Sequence, residues 1–238
     1  MRRVIPFFVI SGVLAVALLI AQTAAPMSLN LTATTASVAG APDSVRIEIL
    51  RWSTDEEREK LMSAWELKTA RPAAPEAGAG KQGKGGGKGA AAAAGGGGRG
   101  RGGAGGAPPA EVLTPEVSLS RALEEATTVG YLWSSENVGY AFRYAGRIEN
   151  PDKSQRIILI TDRRLGAANQ LWNPTFEGDP NKYEFSVIEL RLNAKGEGEG
   201  KASLRGKIAP DAAAKIVTLE SYDALTPVFK NVRTAAKP

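Results

Sequence analysis

VGYAFRYAGRIENPDKSQRIILIT, residues 138–161, is the stretch on which the fold turns. In its first half Val138, Tyr140, Phe142, Tyr144 and Ile148 alternate with Gly139, Ala141, Arg143, Ala145 and Arg147, the period of an extended chain with two unlike faces. Asn150-Pro151-Asp152 then supplies turn chemistry. Beyond it Ile157, Ile158, Leu159 and Ile160 run without alternation, as in a strand covered on both faces. The pair predicts an antiparallel hairpin whose second strand lies inside the fold.

The flanks extend this pattern. Ser44–Arg51 alternates Val45, Ile47 and Ile49 with polar residues and reads as a strand. Ser53 or Thr54 then offers a helix N-cap, with Glu56 or Glu57 three residues on, and Leu61, Met62, Ala64 and Trp65 form an apolar stripe to about Lys68. Thr114-Pro115-Glu116 is a second helix start, followed by Leu119, Ala122, Leu123 and Ala126 at helical spacing. Tyr131–Ser134, Tyr183–Leu192, Lys201–Ile208, Ile216–Glu220 and Val228–Val232 read as further strands, with Gly196–Gly200 as a loose hairpin connection. The expected class is α+β: a mostly antiparallel sheet of five to seven strands with two helices packed on one face.

Two segments stand apart by composition. Met1, Arg2 and Arg3 precede eighteen uncharged residues, Val4–Ala21, which is the profile of an export signal. Residues 1–25 are thus a signal peptide or an N-terminal anchor. Gln22 and Pro26 fit a cleavage site poorly at the available small residues, and the apolar run is nearly long enough to span a bilayer. Either way the remainder is exported: periplasmic, secreted, or anchored in the inner membrane. Arg71–Ala110 contains sixteen Gly, twelve Ala and four Pro with no aromatic or large aliphatic side chain, so it buries too little apolar surface to offset the entropy of ordering it. The organisation read from this is 1–25 leader, 26–42 flexible linker, one domain over 43–234 interrupted by the disordered insertion 71–110, and a tail at 235–238. The piece from 43 to 70 is too short to form a core alone and must pack with the chain beyond the insertion.

Charge and residue usage exclude many functions. The chain carries +5 overall, but the insertion holds +5 and the leader +2, leaving −2 for the rest. The folded part therefore lacks the positive field of a nucleic-acid binder, and no nucleic-acid partner is expected. Cys and His are both absent. That removes disulfides, Ser-His-Asp and Cys-His nucleophiles, and zinc sites built on either residue. No Ser-x-x-Lys, Gly-x-Ser-x-Gly or phosphate-loop motif occurs. No cofactor, metal site or catalytic residue is assigned.

The remaining candidates are few. Gly98–Gly103 resembles a fragment of an Arg-Gly-Gly tract but has two Arg and no aromatic residue, and reads as solvated tether. Glu124 with Glu125, or Asp162 with Glu177 and Asp179, are the carboxylate pairs open to acid/base work on a glycan. Glu177–Asn181 has oxygen ligands but lacks the alternation of a calcium loop, and reads as a turn. Arg143, Arg147, Arg156, Arg163 and Arg164 cluster around the central hairpin, and alternation sets Arg143 and Arg147 side by side on one face, where paired guanidiniums bind carboxylate or phosphate. The candidate ligand-binding residues are Trp133, Arg143, Arg147, Arg163, Arg164 and Trp172.

The run Arg51-Trp52-Ser53-Thr54-Asp55-Glu56-Glu57-Arg58, with Val129-Gly130-Tyr131, Tyr144-Ala145, Ile160-Thr161-Asp162-Arg163, Ile188-Glu189-Leu190 and Gly196–Gly200, resembles a group of uncharacterised exported bacterial proteins whose two helices are joined by linkers of variable length. The resemblance implies export and supports the insertion. It carries over no activity and no site residue.

The functional expectation is a non-enzymatic binding or structural domain at the cell envelope. Its partner would be an anionic envelope component or another envelope protein, with membrane contact only through residues 1–25. The alternatives are a carboxylate-dependent hydrolase of an envelope polymer, which needs two carboxylates converging in a pocket, and an assembly subunit, which needs an exposed apolar edge. Replacing Arg71–Ala110 by a five-residue linker removes about 2 kcal/mol of loop-closure entropy. The melting temperature by calorimetry is expected to rise, and a clear fall would show native contacts in the insertion.

Overall fold

The computed structural model describes residues 28–68, 113–135, 138–167 and 171–235. The leader and the Gly/Ala-rich insertion lie outside the described residues. The elements are β1 (Leu29–Thr35), β2 (Val38–Ala39), β3 (Ser44–Ile49), α1 (Asp55–Trp65), α2 (Pro115–Glu125), β4 (Gly130–Trp133), β5 (Gly139–Glu149), β6 (Gln155–Thr161), β7 (Asn173–Pro174), β8 (Val187–Leu192), β9 (Glu197–Ala202), β10 (Ile208–Asp211), β11 (Ile216–Leu219), a 3-10 turn at Tyr222–Ala224, and β12 (Phe229–Thr234).

Eight of these strands close into an antiparallel barrel in the order β1-β12-β9-β8-β6-β5-β4-β3. The ring is a meander: each strand pairs with the barrel strands before and after it in the chain, and β1 pairs β12 to close the circle. The expected sheet of five to seven strands with two helices packed on one face is therefore incorrect. The missing piece was β1, which falls in the segment set aside as a flexible linker. Leu31 and Ala33 point inward while Asn30, Thr32 and Thr34 face out, a pattern with too few apolar residues to announce itself.

The barrel interior is filled. Leu31, Ile47, Leu132, Phe142, Ile157, Leu159, Ile188, Leu190 and Phe229 belong to one buried cluster, as expected of eight strands, whose lumen side chains can just occupy. A second core lies outside the wall. Leu61 of α1, Leu119 and Leu123 of α2, and Ile216 and Val217 of β11 cover Tyr144, Ile158, Ile160 and Val187 of the barrel. Ile157 and Leu159 thus face the lumen and Ile158 and Ile160 the outer core, which explains the unbroken apolar run from Ile157 to Ile160 in β6.

β5 departs from simple alternation. Its register with β6 shifts between Phe142 and Tyr144. A one-residue bulge inverts the faces of everything beyond it. Tyr140 and Phe142 accordingly point into the lumen, whereas Tyr144 and Ile148 pack in the outer core. The segment read as a loose connection at Gly196–Gly200 is mostly strand β9. A Cβ on Gly198 would lie 1.9 Å from the Arg191 carbonyl oxygen, and one on Gly200 2.4 Å from Leu190 Cδ2. Glycine is used there for close approach, not for turning.

The helix start that carries the resemblance is a fastening. Thr54 Oγ1 accepts from the Glu57 amide (3.2 Å) and Glu57 Oε2 from the Thr54 amide (2.9 Å), a capping box. Arg51 donates to both Glu57 oxygens at 2.7 and 2.8 Å, and this hydrogen-bonded pair holds the Glu57 carboxyl below its ordinary value. Ser53 exchanges two bonds with Ala145, its amide donating to the Ala145 carbonyl (2.8 Å) and its Oγ accepting from the Ala145 amide (3.1 Å). The helix is thereby pinned to β5.

On the outer wall Glu189 is fully buried. Arg156 donates to both its oxygens (2.8 and 3.0 Å), Arg191 Nε to one (3.1 Å), and Arg156 also reaches Asp211 (2.7 Å). Burial works against charge on Arg156, but the bonds to Glu189 and Asp211 prevail and raise its pKa. Arg156 and Arg191 are direct cross-strand partners, a like-charge opposition that Glu189 neutralises. Glu189→Leu is expected to cost about 3–5 kcal/mol, because removing one partner strands the others. Urea unfolding measures this, and Glu189→Leu with Arg156→Met should recover part of the loss.

Candidate functional site

The two rims of the barrel differ. One carries the start of β1, the end of β12, the tight turns 150–154 and 193–196, and the helical connection from β3 to β4. Connections 36–43, 134–138, 162–186 and 203–228 meet at the other. There β2 pairs β7, and Trp172, held at φ 61°, drops its indole into the lumen. Its ring lies 6.4 Å from Tyr140 and 5.8 Å from Phe229 between centroids. Gly166 allows this path: it sits at φ 83°, and a Cβ there would lie 2.3 Å from the Leu171 carbonyl oxygen.

Above the plug is a hollow of about 190 Å³, lined by Arg164, Trp172, Asn181 and Arg205 together with Leu165, Leu171 and Leu204 among others. Arg164 Nη1 donates to the Asn181 carbonyl (3.3 Å), and Arg205 Nη1 donates to the Gly178 carbonyl. No acidic side chain lines it. Among the described residues six buried side-chain polar atoms lack a hydrogen-bond partner, and four of them belong to this lining: Trp172 Nε1, Asn181 Nδ2, Asn181 Oδ1 and Arg205 Nε. Folded proteins leave few such atoms, and each calls for a reason.

The six ligand-binding candidates disperse. Arg164 and Trp172 meet in the hollow. Arg163 lies nearby but is spent on the barrel, donating to the Gly139 carbonyl (2.6 Å), pairing with Asp162 (3.3 Å) and covering Tyr140 at 4.9 Å. Trp133 stands on the outer face of β4 beside Tyr131, donating to Glu48 at 3.0 Å. Arg143 and Arg147 do not share a face, because the β5 bulge lies between them. Arg143 donates to the Ala126 carbonyl (2.8 Å) and Thr128 Oγ1 (3.2 Å) at the end of α2, whereas the Arg147 guanidinium sits 5.2 Å from the Trp52 ring. Asn181 and Arg205 were missed, one reading as a turn residue and the other as a polar strand position.

Of the candidate carboxylates, Glu124 lines a hollow beside α2 with Glu116 and Glu184, while Glu125 accepts from Lys60 (3.3 Å). Asp162, Glu177, Asp179 and Glu189 line none of the four hollows found among the described residues. Asp162 accepts from the Ala141 amide (3.2 Å), and Glu189 is enclosed by its arginines. Barrel closure removes the free barrel edge that an assembly subunit would offer. The exposed large apolar side chains among the described residues, Leu50 and Val138, belong to opposite rims. No helix of the described residues is long and apolar enough to cross a membrane.

The chain matches no protein-family model, and no curated protein or solved structure is similar to it. Its residues alone therefore carry the functional argument.

Arg143 provides a check on these assignments. As a cation bonded to the carbonyl of Ala126, the C-cap of α2, it stabilises the helix end. Arg143→Met is expected to lower stability by about 1 kcal/mol. Chemical denaturation reads this, and an unchanged midpoint would return Arg143 to the ligand contacts.

Proposed function

We propose that this protein is a non-enzymatic binding domain displayed outside the cytoplasmic membrane, with the loop-bearing rim of its barrel as the binding face. The observation that carries the reading is the concentration of unpartnered buried polar atoms at that rim. A packed lumen leaves no room for a ligand inside the wall, so recognition falls to the loops at the mouth, as is usual where a rigid barrel supports irregular connections.

Topology suits display. The barrel begins at Leu29 and ends at Thr234, which lie on the rim opposite the hollow, and the Ala235 amide donates to the Asn30 carbonyl (2.8 Å) to tie the two ends together. A leader or anchor joined before Leu29 therefore holds the domain by the far end and turns the loops away from its attachment.

Because the chain has no cysteine, Asp179→Cys introduces a unique thiol on an exposed loop of the binding rim. It is expected to react with a membrane-impermeant maleimide on intact spheroplasts, and reaction only after lysis would defeat the export reading. Hydrogen exchange of the full chain with and without a low-molecular-mass envelope extract tests the binding face. Protection is expected within 162–186 and 203–228. Protection confined to the opposite rim or the helices, or none, would overturn it.

A further inference from the structure

We propose that the outer wall formed by β12, β1, β3 and β4 binds an acidic glycan, a chain of sugar rings that carry carboxylates, with Trp133 and Tyr131 against the rings and Arg46 and Arg233 on the acid groups. This wall is a second binding face, separate from the loop-bearing rim.

Strand register lays the wall out. Leu31 and Ala33, Val45 and Ile47, Leu132, Phe229 and Val232 belong to the lumen core, so the residues alternating with them face outward. Pairing sets Arg233 opposite Thr32, Thr32 opposite Arg46 and Arg46 opposite Trp133 in one row, and Asn30 opposite Glu48 and Glu48 opposite Tyr131 in the next. The outer core on the other side of the barrel takes no residue from these four strands among the described residues. Arg46, Lys230 and Arg233 are exposed, and Tyr131 and Trp133 are half-buried.

Charge selects an acidic partner. Lys230, Arg233 and Arg46 share this wall with a single carboxylate, Glu48, which accepts from Trp133 Nε1 at 3.0 Å. Glu197 of β9, opposite Arg233, lies beyond the far edge. The chain outside the leader and the insertion sums to −2, so this is a positive face on a net negative molecule, and it favours an anion. Three inter-strand spacings of about 4.8 Å give the row from Arg233 to Trp133 a span of roughly 14 Å. That is the reach of a short oligomer and exceeds one small ion.

The aromatic pair selects rings. Glu48 holds the Trp133 N–H, the Tyr131 ring lies 5.1 Å away with 32° between planes, and a Cβ on Gly139 would come within 2.9 Å of Trp133 Cε3. Glycine at 139 thus gives the indole room against β5, and its position is set before any ligand arrives. Such preorganisation lowers the ordering cost of binding. The Arg46 guanidinium stands 5.7 Å from the indole centroid, which puts a cation beside an aromatic surface. The negative face of an aromatic ring takes up the C–H face of a sugar, while a guanidinium takes the carboxylate that the sugar carries.

The test is isothermal titration of the full chain, purified in detergent, with hexagalacturonate and, as a neutral control with the same rings, its fully methyl-esterified form. The acid is expected to saturate with a Kd below about 1 mM at low salt and to weaken as salt is added, and the ester to bind at least about tenfold more weakly. Arg46→Glu, at an exposed position, should weaken the acid at least about tenfold with an unchanged melting temperature, and Trp133→Ala should weaken it as well. If Trp133→Ala fails to fold, Arg46→Glu decides. No saturation by the acid, equal binding of acid and ester, or an affinity untouched by Arg46→Glu or by a folded Trp133→Ala would each overturn the proposal. The last outcome is the one that contact with the basic residues of 71–110 would give.

Discussion

Pairing of β1 with both β3 and β12 is the constraint on which the molecule depends. Without it seven strands would form an open sheet with two unpaired edges, and the inward residues of β3 and β12 would face solvent. With it every barrel strand has two neighbours and the lumen closes around an apolar core. Closure also sets where chemistry can occur. An eight-stranded ring whose centre is occupied by Phe142, Phe229, Leu190 and Ile157 has no interior site to offer, and its outer wall over β5, β6 and β8 is taken by two helices and the β10–β11 hairpin. What remains is the rim, with the outer wall of β12, β1, β3 and β4.

The sequence announces those parts whose pattern is dictated by two-sided burial and hides those where one residue does double duty. β6 is legible because both of its faces are covered, and the capping box at Thr54 because its spacing is local. β1 is not legible: a strand with lumen contacts from Leu31 and Ala33 and an outer face of Asn and Thr looks like a polar linker until its partners are known. The β5 bulge is equally invisible, since a shift of one residue leaves the composition unchanged while exchanging the faces of Tyr144 and Phe142. Arg143 and Arg147, adjacent by simple alternation, are for that reason separated.

At the site the same distinction holds. Arg164 could be flagged because it belongs to the run of arginines around the central hairpin, and Trp172 because it is a large aromatic in an otherwise polar loop. Asn181 and Arg205 could not, because their importance lies in what they lack: each is half-buried with buried atoms left unpaired, a property of two separate connections meeting at the mouth. No local spacing relates residues 164, 172, 181 and 205. Only the closed ring, by fixing where β6 ends and β9 ends, brings them to one rim.

The ion cluster on the outer wall extends this dependence to the site. Asp211 at the end of β10 is tied to Arg156, Asp223 in the 3-10 turn to Arg191 at 2.9 Å, and Lys201 Nζ to the Tyr222 carbonyl at 3.0 Å. The Arg191 guanidinium also lies 3.7 Å from the Tyr222 ring centroid, and burial raises the tyrosine pKa well above its ordinary value. These contacts fasten the connection between β9 and β12 to the barrel wall at Asp211 and at Tyr222–Asp223, and Arg156 and Arg191 meet on one buried carboxylate, Glu189. Leu204 and Arg205 sit at the start of that connection, two and three residues beyond the end of β9. A buried ion pair adds little net stability over apolar packing, but it is satisfied in a single register. Here Asp211 and Asp223 answer Arg156 and Arg191 on the wall, while the first residues of the same connection, Leu204 and Arg205, line the mouth of the barrel.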